Sequence, residues 1–297
     1  MVGGTTNLTS ITTDSGGTVS IGGNVTTTGA QTYNDAMTLT AATVFSASAF
    51  TTSSTLSASS YALTITTDAI ALGGNVSGSG ALIIQPKTDT ITIAIGSDAS
   101  GTLKLDDTEL GYLRDGFSSI TIGSTTATGA IAINYASAYT FTDPITIRKS
   151  TGSGSAITLT DEFTSGNLTL ASNSIVLNNN VTTSGTQTYT GAVTLGTSIA
   201  LASTAAASSG NSISFSSTIN GTSANTESLT LNSGSSGTIS VGSAVGGSVT
   251  LKTMTITNSG GATAEELIQL ARDVRASVEQ KFGITLEPEV NLVGLAL

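Results

Sequence analysis

Apolar residues recur along most of the chain as doublets, in which two apolar side chains flank one smaller residue. Between residues 5 and 257 these doublets are separated mainly by glycine, asparagine, serine and aspartate. Alternation with period two places both members of a doublet on one face of a strand, and the intervening residues favour turns. The pattern therefore predicts many very short strands, with doublets such as Val19/Ile21, Leu63/Ile65, Leu103/Leu105, Ile131/Ile133, Ile157/Leu159 and Leu229/Leu231.

A nine-residue segment occurs twice, as residues 25–33 (VTTTGAQTY) and residues 181–189 (VTTSGTQTY), and residues 73–76 repeat its left flank. Short strands joined by turns fit a sandwich or barrel, and they also fit a parallel β-helix in which coils stack on one another. Internal repetition, the low aromatic content of 4% and the absence of tryptophan favour the β-helix. We predict an all-β, parallel β-helical repeat domain over residues 1–257.

The pattern changes to that of a helix after residue 257. Thr263 and Glu266 have the spacing of a capping box, and Gly283 is a stop signal, so a helix is predicted over residues 264–282 within a tail of residues 258–297. We expect this helix to cover the last coil, because an uncovered coil exposes unpaired backbone groups. The expected capping residues are Thr263, Glu266, Leu267, Val274, Val278 and Phe282.

The composition excludes several classes of function. The net charge is −10 and no cluster of Lys and Arg is present, which argues against nucleic acid as a partner. Cysteine and histidine are absent, which excludes thiolate and imidazole catalysis and the metal sites built from these side chains. The N-terminus lacks the pattern of a signal peptide, and no stretch is apolar enough for a membrane helix. We predict no membrane insertion, no cofactor and no metal.

The least repetitive segment, residues 101–123, collects acids, an arginine and two aromatic residues. Carbohydrate-cleaving enzymes need grouped carboxylates, but a solvated loop whose charges neutralise one another has the same composition. Both interpretations stay open. The candidate binding residues are Asp106, Asp107, Glu109, Tyr112, Arg114 and Asp115.

Threonine pairs of the form Thr-x-Thr, such as Thr64/Thr66 and Thr158/Thr160, suggest a second alternative. Rows of threonine on a flat face can order water and bind ice. Threonine is also favoured at exposed strand positions by its β-propensity alone, and the pairs are irregularly spaced. Ice binding therefore remains an alternative function. Tyr33, in the repeat, is expected to pack at a corner of the structure.

The repeated segments and residues 115–123 (DGFSSITIG) resemble the shafts of filamentous-haemagglutinin-type bacterial surface proteins. The resemblance covers most of residues 5–257. It implies a right-handed parallel β-helix, or solenoid, that is secreted and displayed on the bacterial outer surface. Its implied duty is adhesive or structural. The implied partners are host-cell or surface glycans and proteins, or further copies of the chain associated end to end.

The tail resembles a different family over about residues 256–294, the C-terminus of UDP-N-acetylenolpyruvoylglucosamine reductase, a flavin enzyme of peptidoglycan synthesis. The residues that carry the resemblance are 258–264 (NSGGATA), the predicted helix, and 286–290 (LEPEV). It implies that Glu289 corresponds to a catalytic acid, while Asn291 replaces the usual basic residue. The flavin domain of that family has no counterpart here, so we predict no enzymatic activity.

These observations together predict a non-enzymatic, secreted, structural or adhesive shaft. Its fold would be an all-β, right-handed parallel β-helix that ends in a capping α-helix. The alternatives are a polysaccharide-active β-helical enzyme and an ice-binding protein that uses its Thr-x-Thr rows.

Overall fold

A computed structural model gives the structure of the chain and describes residues 2, 5–152, 154–257 and 264–284, with the side chains of residues 264–267 and 282 left out of the description. The first half contains β1 (Ile11–Thr12), β2 (Thr18–Ile21), β3 (Val25–Thr26), β4 (Gln31–Tyr33), β5 (Ala36–Leu39), β6 (Thr43–Ser46), β7 (Ala49–Thr52), β8 (Leu56–Ser57), β9 (Leu63–Thr66), β10 (Ala69–Leu72), β11 (Val76–Ser77), β12 (Ala81–Gln85), β13 (Ile93–Ile95), β14 (Leu103–Leu105), α1 (Asp107–Tyr112), β15 (Ser119–Gly123), β16 (Ile131–Ile133), β17 (Thr140–Phe141) and β18 (Ile145–Arg148). The second half contains β19 (Ile157–Leu159), β20 (Phe163–Ser165), β21 (Leu168–Leu177), β22 (Val181–Thr183), β23 (Gln187–Leu195), β24 (Ile199–Ala202), β25 (Ile213–Phe215), β26 (Ile219–Gly221), β27 (Ser228–Asn232), β28 (Ile239–Val241), β29 (Thr253–Thr257) and α2 (Ala264–Phe282).

The strands of the described residues pair in parallel and form four sheets. Two sheets have four strands, in the orders β1-β4-β7-β10 and β11-β8-β5-β2, and a third has six, in the order β17-β20-β22-β24-β27-β29. The largest sheet has fifteen strands and follows the path β14-β13-β16-β19-β21-β18-β15-β12-β9-β6-β3, with β23, β25, β26 and β28 attached beyond β21. The long strand β21 pairs with β18 through its first half and with β19 through its second half. The pairing of β21 with β23 has a register shift at the same point along β21, between Ala171 and Ser174.

The apolar doublets supply the core. In β16, Ile131 and Ile133 are buried while Ala132 between them is half-buried, and β19 and β25 show the same alternation. In register, Ile131 lies beside Ile93 on one side and Ile157 on the other, so each doublet stacks on the doublets of neighbouring strands. The inward faces therefore merge into one continuous apolar cluster.

The prediction of an all-β fold built as a single right-handed parallel β-helix was wrong. In the described part of the chain the strands divide among four separate sheets instead of one solenoid, and the largest sheet branches at β21 and β23. The helix α1 also interrupts the path between β14 and β15. All-parallel sheets occur mostly in α/β proteins. The doublets fix which side chains point inward, but strand partners also depend on the connections, whose lengths vary along the chain.

The two copies of the nine-residue segment share a buried polar network. In the first copy, Gln31 Nε2 donates to Val25 O (3.0 Å), Thr27 Oγ1 (3.3 Å) and Ser46 O (3.1 Å), and Tyr33 OH donates to Gln31 Oε1 (3.3 Å). The second copy reproduces these bonds through its corresponding residues, which are Gln187, Val181, Thr183, Ala202 and Tyr189. Gln31 and Gln187 are fully buried, so each glutamine satisfies backbone groups that water cannot reach.

The predicted C-terminal helix is present as α2 (Ala264–Phe282). Of its described side chains, Ile268 is buried, whereas Val274 is 37% exposed. Val278 is half-buried. The remaining expected capping positions lie outside the description, Thr263 entirely and Glu266, Leu267 and Phe282 in their side chains. The capping role therefore stays a prediction.

Candidate functional site

The candidate binding residues of the acidic segment lie on and around α1. Asp106 is the N-cap of α1, and its Oδ1 accepts a hydrogen bond from Glu109 N (2.9 Å). Glu109 Oε2 accepts one from Asp106 N (3.0 Å), which completes a capping box. The two carboxylates thus satisfy backbone donors at the start of the helix.

Two carboxylates of this segment also attach α1 to neighbouring strands and turns. Glu109 Oε1 accepts from Leu72 N (2.8 Å), at the end of β10. Burial raises the pKa of Glu109, although hydrogen bonds from the backbone of Asp106 and Leu72 oppose this. Asp107 accepts from the backbone N–H groups of Ser97 (2.8 Å), Ala136 (2.9 Å) and Ser137 (2.9 Å). These acids therefore act as acceptors inside the structure.

The remaining three candidates follow on the same segment. Tyr112 is half-buried against the core, and Arg114 Nη2 donates to Asn75 Oδ1 (2.6 Å). Asp115 is exposed. Burial raises the pKa of Asp143, a buried acid outside the predicted set, and the neighbouring Asp115 raises it further. Asp143 directly precedes Pro144 at a corner, and this dipeptide is the only sequence signal for it. The structure brings the six candidates together, and ligand binding by them stays a prediction.

A groove near the C-terminus is the second candidate site. This C-terminal groove has a volume of about 480 Å³ and lies between α2 and the segment that leads into β29. Its lining residues are Ala244, Val245, Gly246, Gly247, Thr250, Leu251, Lys252, Thr253, Met254, Val274, Ser277, Val278, Lys281 and Ile284. Pockets of this size hold small molecules in many proteins.

The C-terminal groove combines an apolar floor with two cations. Val245, Leu251 and Met254 belong to the edge of the apolar core, and Lys252 and Lys281 are exposed at the rim. Gly247 permits Lys281 to approach, since a Cβ on this glycine would lie 3.0 Å from Lys281 Nζ. An apolar surface beside two ammonium groups suits a ligand with one apolar face and an anionic group.

The sequence analysis assigned Val274 and Val278 to a cap and overlooked this groove. The pair Gly246-Gly247, followed within a few residues by Lys252, was the available signal. Glu289 and Asn291, which the resemblance to the reductase implied, lie outside the described residues. No group of acids able to hold a metal ion occurs among the residues with described positions. No helix within the described ranges has the length and apolar character needed to cross a membrane.

Lys149 is a buried cation away from both candidate sites. Only 1% of its surface is exposed, and its Nζ donates to Ser155 O (2.9 Å). Burial lowers the pKa of Lys149 from its ordinary value of 10.5. The charged form is therefore held in an unfavourable environment at neutral pH.

Replacing Lys149 with methionine is expected to raise the free energy of unfolding at neutral pH by about 1 kcal/mol, because a buried charge is removed while the apolar stem is kept. A lysine with a lowered pKa binds its proton less tightly in the folded chain than in the unfolded chain. The wild-type protein should therefore gain stability as the pH rises toward 10.5, and the advantage of the variant should shrink. Urea denaturation of both proteins at about pH 7 and about pH 10 checks this. A difference that does not change with pH would contradict it.

Comparison with known proteins identifies similarity at the C-terminus. Residues 239–293 match the family described as UDP-N-acetylenolpyruvoylglucosamine reductase, C-terminal domain. The reductase of that name from Lachnoclostridium phytofermentans is 56% identical over 39 residues, which are 13% of this chain and 13% of that protein. The Mycobacterium leprae reductase is 57% identical and the Mycobacterium tuberculosis reductase 54% identical, each over 44 residues, which are 15% of this chain and 12% of each relative. No solved structure gives a significant match.

The match confirms the predicted resemblance of the tail to this reductase family. Nothing in the comparisons supports the predicted resemblance of residues 5–257 to filamentous-haemagglutinin-type proteins. The match begins at residue 239 and so crosses the predicted boundary between residues 257 and 258, and that division of domains stays a prediction. The chain spans 12–13% of the length of these relatives.

The same findings correct the predicted function. The predictions of a non-enzymatic adhesive or structural shaft, of a polysaccharide-active enzyme and of an ice-binding protein were wrong, because the relatives are named as reductases of a UDP-linked sugar. The prediction that the chain is not an enzyme was wrong for the same reason. The predicted secretion to a bacterial outer surface was also wrong, since the comparisons lead to an enzyme family instead of surface proteins.

Proposed function

We propose that the chain acts in cell-wall synthesis as an enzyme of the UDP-N-acetylenolpyruvoylglucosamine reductase type, with residues 239–293 as its substrate-binding C-terminal module. The C-terminal groove would hold part of the UDP-linked sugar for which the relatives are named. The proposal rests on where the C-terminal groove lies in the sequence. Every residue that lines the C-terminal groove falls between Ala244 and Ile284, inside the matched segment.

The chemistry of the groove supports an anionic nucleotide sugar. A diphosphate carries negative charge that lysine side chains bind as compact point charges. Lys252 and Lys281 provide such charges at the rim, in a chain whose net charge is −10. The apolar floor around Leu251 and Met254 gives the uncharged parts of the ligand a surface to cover.

The family implies a flavin, but the described residues do not fit one. Between the sheets the interior is filled by large side chains, including Tyr33, Phe45 and Phe50, each no more than 1% exposed. The C-terminal groove is bordered by exposed side chains, with Ile284 58% exposed, whereas a redox ring system needs an enclosing pocket. We therefore assign substrate binding to the C-terminal groove and no reduction step to the described residues.

Calorimetric titration of the full chain with UDP-N-acetylenolpyruvoylglucosamine tests the proposal. We expect saturable binding, and we expect Lys281→Ala to weaken it by roughly tenfold, which corresponds to about 1.4 kcal/mol. The variant Val278→Asp, which places a like charge beside the ligand, should weaken binding further. UDP alone should compete, because it carries the same diphosphate.

The matched control is Lys87→Ala. Lys87 is exposed, and its Nζ donates to Thr27 O (3.0 Å), far from the C-terminal groove in the sheet order. This variant should bind the nucleotide sugar as the wild-type chain does. Absence of binding to the wild-type chain would overturn the proposal, and so would equal weakening by Lys87→Ala and Lys281→Ala.

A further inference from the structure

Two adjacent glycines line the C-terminal groove, and only the first needs to be glycine for its backbone conformation. Gly246 has a φ of +67°, in the left-handed region, and its N–H donates to Ile219 O (2.7 Å). Gly247 lies outside that region, so its backbone conformation is open to other residues. The missing side chain at position 247 therefore has a different reason.

The ammonium group of Lys281 supplies that reason. A Cβ on Gly247 would lie 3.0 Å from Lys281 Nζ and 3.0 Å from Ala244 Cβ, closer than most contacts of this kind. Lys281 belongs to the last turn of α2, so its side chain reaches from the helix to the bend at Gly247. The ammonium group thus lies against a stretch of backbone that no side chain covers.

The helix α2 turns one stripe of side chains toward the C-terminal groove. Val274, Val278 and Lys281 are three or four residues apart and all line it. Lys252 contributes a second cation from the segment that leads into β29, and the described lining residues include no acid. The groove is therefore apolar along α2 and positively charged where Lys281 meets Gly247.

We propose that Lys281 and the bend at Gly247 form the subsite for the diphosphate of the nucleotide sugar, with Gly247 as a positioning residue that leaves room for the ammonium group. The inference rests on the proposed function and adds which part of the groove takes the charged part of the ligand. Lysine binds phosphate as a compact point charge, so its placement sets the strength of the contact. A side chain at position 247 would displace the ammonium group and fill the space beside it.

Calorimetric titration of the full chain with inorganic pyrophosphate, and separately with UDP-N-acetylenolpyruvoylglucosamine, tests the subsite. We expect both ligands to bind the wild-type chain and Gly247→Val to weaken each roughly fivefold to tenfold, because valine takes the space of the ammonium group. In a Lys281→Ala background the same replacement should weaken binding by less than about twofold, since Gly247 acts through Lys281. A purely structural effect of valine would persist in that background.

Two further variants guard against loss of the fold. Gly247→Ala adds the smallest side chain and should weaken binding in the same direction by a smaller factor, because the lysine side chain can move by a few tenths of an ångström. Gly154→Ala is the control, since nothing lies within 4 Å of a Cβ on Gly154. This variant should bind both ligands as the wild-type chain does.

The possible outcomes separate the subsite from the proposed function. Equal binding of the nucleotide sugar by the wild-type chain and Gly247→Val would overturn the subsite, as would losses from Gly247→Val and Lys281→Ala that add in the double variant. Pyrophosphate binding that depends on Gly247, without any binding of the nucleotide sugar, would overturn the proposed function and leave an anion site in place. Failure of both ligands to bind the wild-type chain would overturn both.

Discussion

Replacement of Gly191 with alanine is expected to lower the free energy of unfolding by about 3 to 5 kcal/mol, which is at the upper end for single substitutions. Gly191 lies within β23 at a φ of +121°, a conformation that residues with a Cβ rarely adopt. An added Cβ would clash with Ser172 O, in the neighbouring strand β21. Either the backbone must move or the pairing of β21 with β23 must break. Urea denaturation followed by circular dichroism measures the loss.

The matched control is Gly111→Ala in α1. Nothing lies within 4 Å of a Cβ built on Gly111, so alanine fits there without a clash. Alanine has the higher helix propensity, and we expect this variant to be more stable by up to about 1 kcal/mol. Replacement of glycine with alanine should thus lower the free energy of unfolding at Gly191 and raise it at Gly111. Similar stabilities for the two variants would contradict the close approach of β21 and β23.

Replacement of Gln187 with leucine is expected to lower the free energy of unfolding by about 3 to 4 kcal/mol, because each buried polar group left without a partner costs about 1 to 3 kcal/mol. Gln187 Nε2 donates to Ala202 O (2.8 Å) and Val181 O (3.3 Å), and its Oε1 accepts from Tyr189 OH (2.8 Å). Leucine fills a similar volume but satisfies none of these groups. Urea denaturation at neutral pH checks the size of the effect.

Two further variants serve as comparisons for Gln187→Leu. Gln31→Leu, in the first copy of the repeat, should cost a similar amount, because its hydrogen bonds correspond one to one. Thr182→Val, at a half-exposed position of β22, should change stability by less than about 0.5 kcal/mol. If Gln187→Leu were as mild as Thr182→Val, the buried network would have no part in stability.

The strands, their inward faces and the C-terminal helix could be predicted from the sequence. Doublets such as Ile131/Ile133 and Leu229/Leu231 give the strands and their inward faces, because alternation with period two has a direct structural meaning. The helix over residues 264–282 is likewise predicted from the spacing of its capping residues and its stop glycine. These features depend only on residues close together in the chain.

The arrangement of the strands could not be predicted in the same way. Leu168 and Ile175 lie in the same strand, β21, yet they pair with different neighbours, Ile145 of β18 and Ile157 of β19. A doublet pattern carries no information about this choice, since any apolar doublet can stack on any other. The prediction of a single solenoid was therefore wrong at the strands where the sheet branches.

The candidate sites show a similar contrast. The sequence identified Asp106, Asp107 and Glu109 as a group, but it could not reveal that their oxygens accept hydrogen bonds from backbone groups of distant turns. It also gave no reason to join Lys252 with Lys281, which come together only when α2 packs beside the strand region. Sites formed between separate elements depend on the tertiary structure.

The most direct test of the proposed function is hydrogen exchange of the full chain with and without UDP-N-acetylenolpyruvoylglucosamine. We expect slower exchange in residues 244–254 and 274–284, which line the C-terminal groove, and unchanged exchange around α1. This pattern should be lost in Lys281→Ala and kept in Lys87→Ala. Unchanged exchange throughout the chain, or protection confined to residues 106–115, would contradict the proposed function.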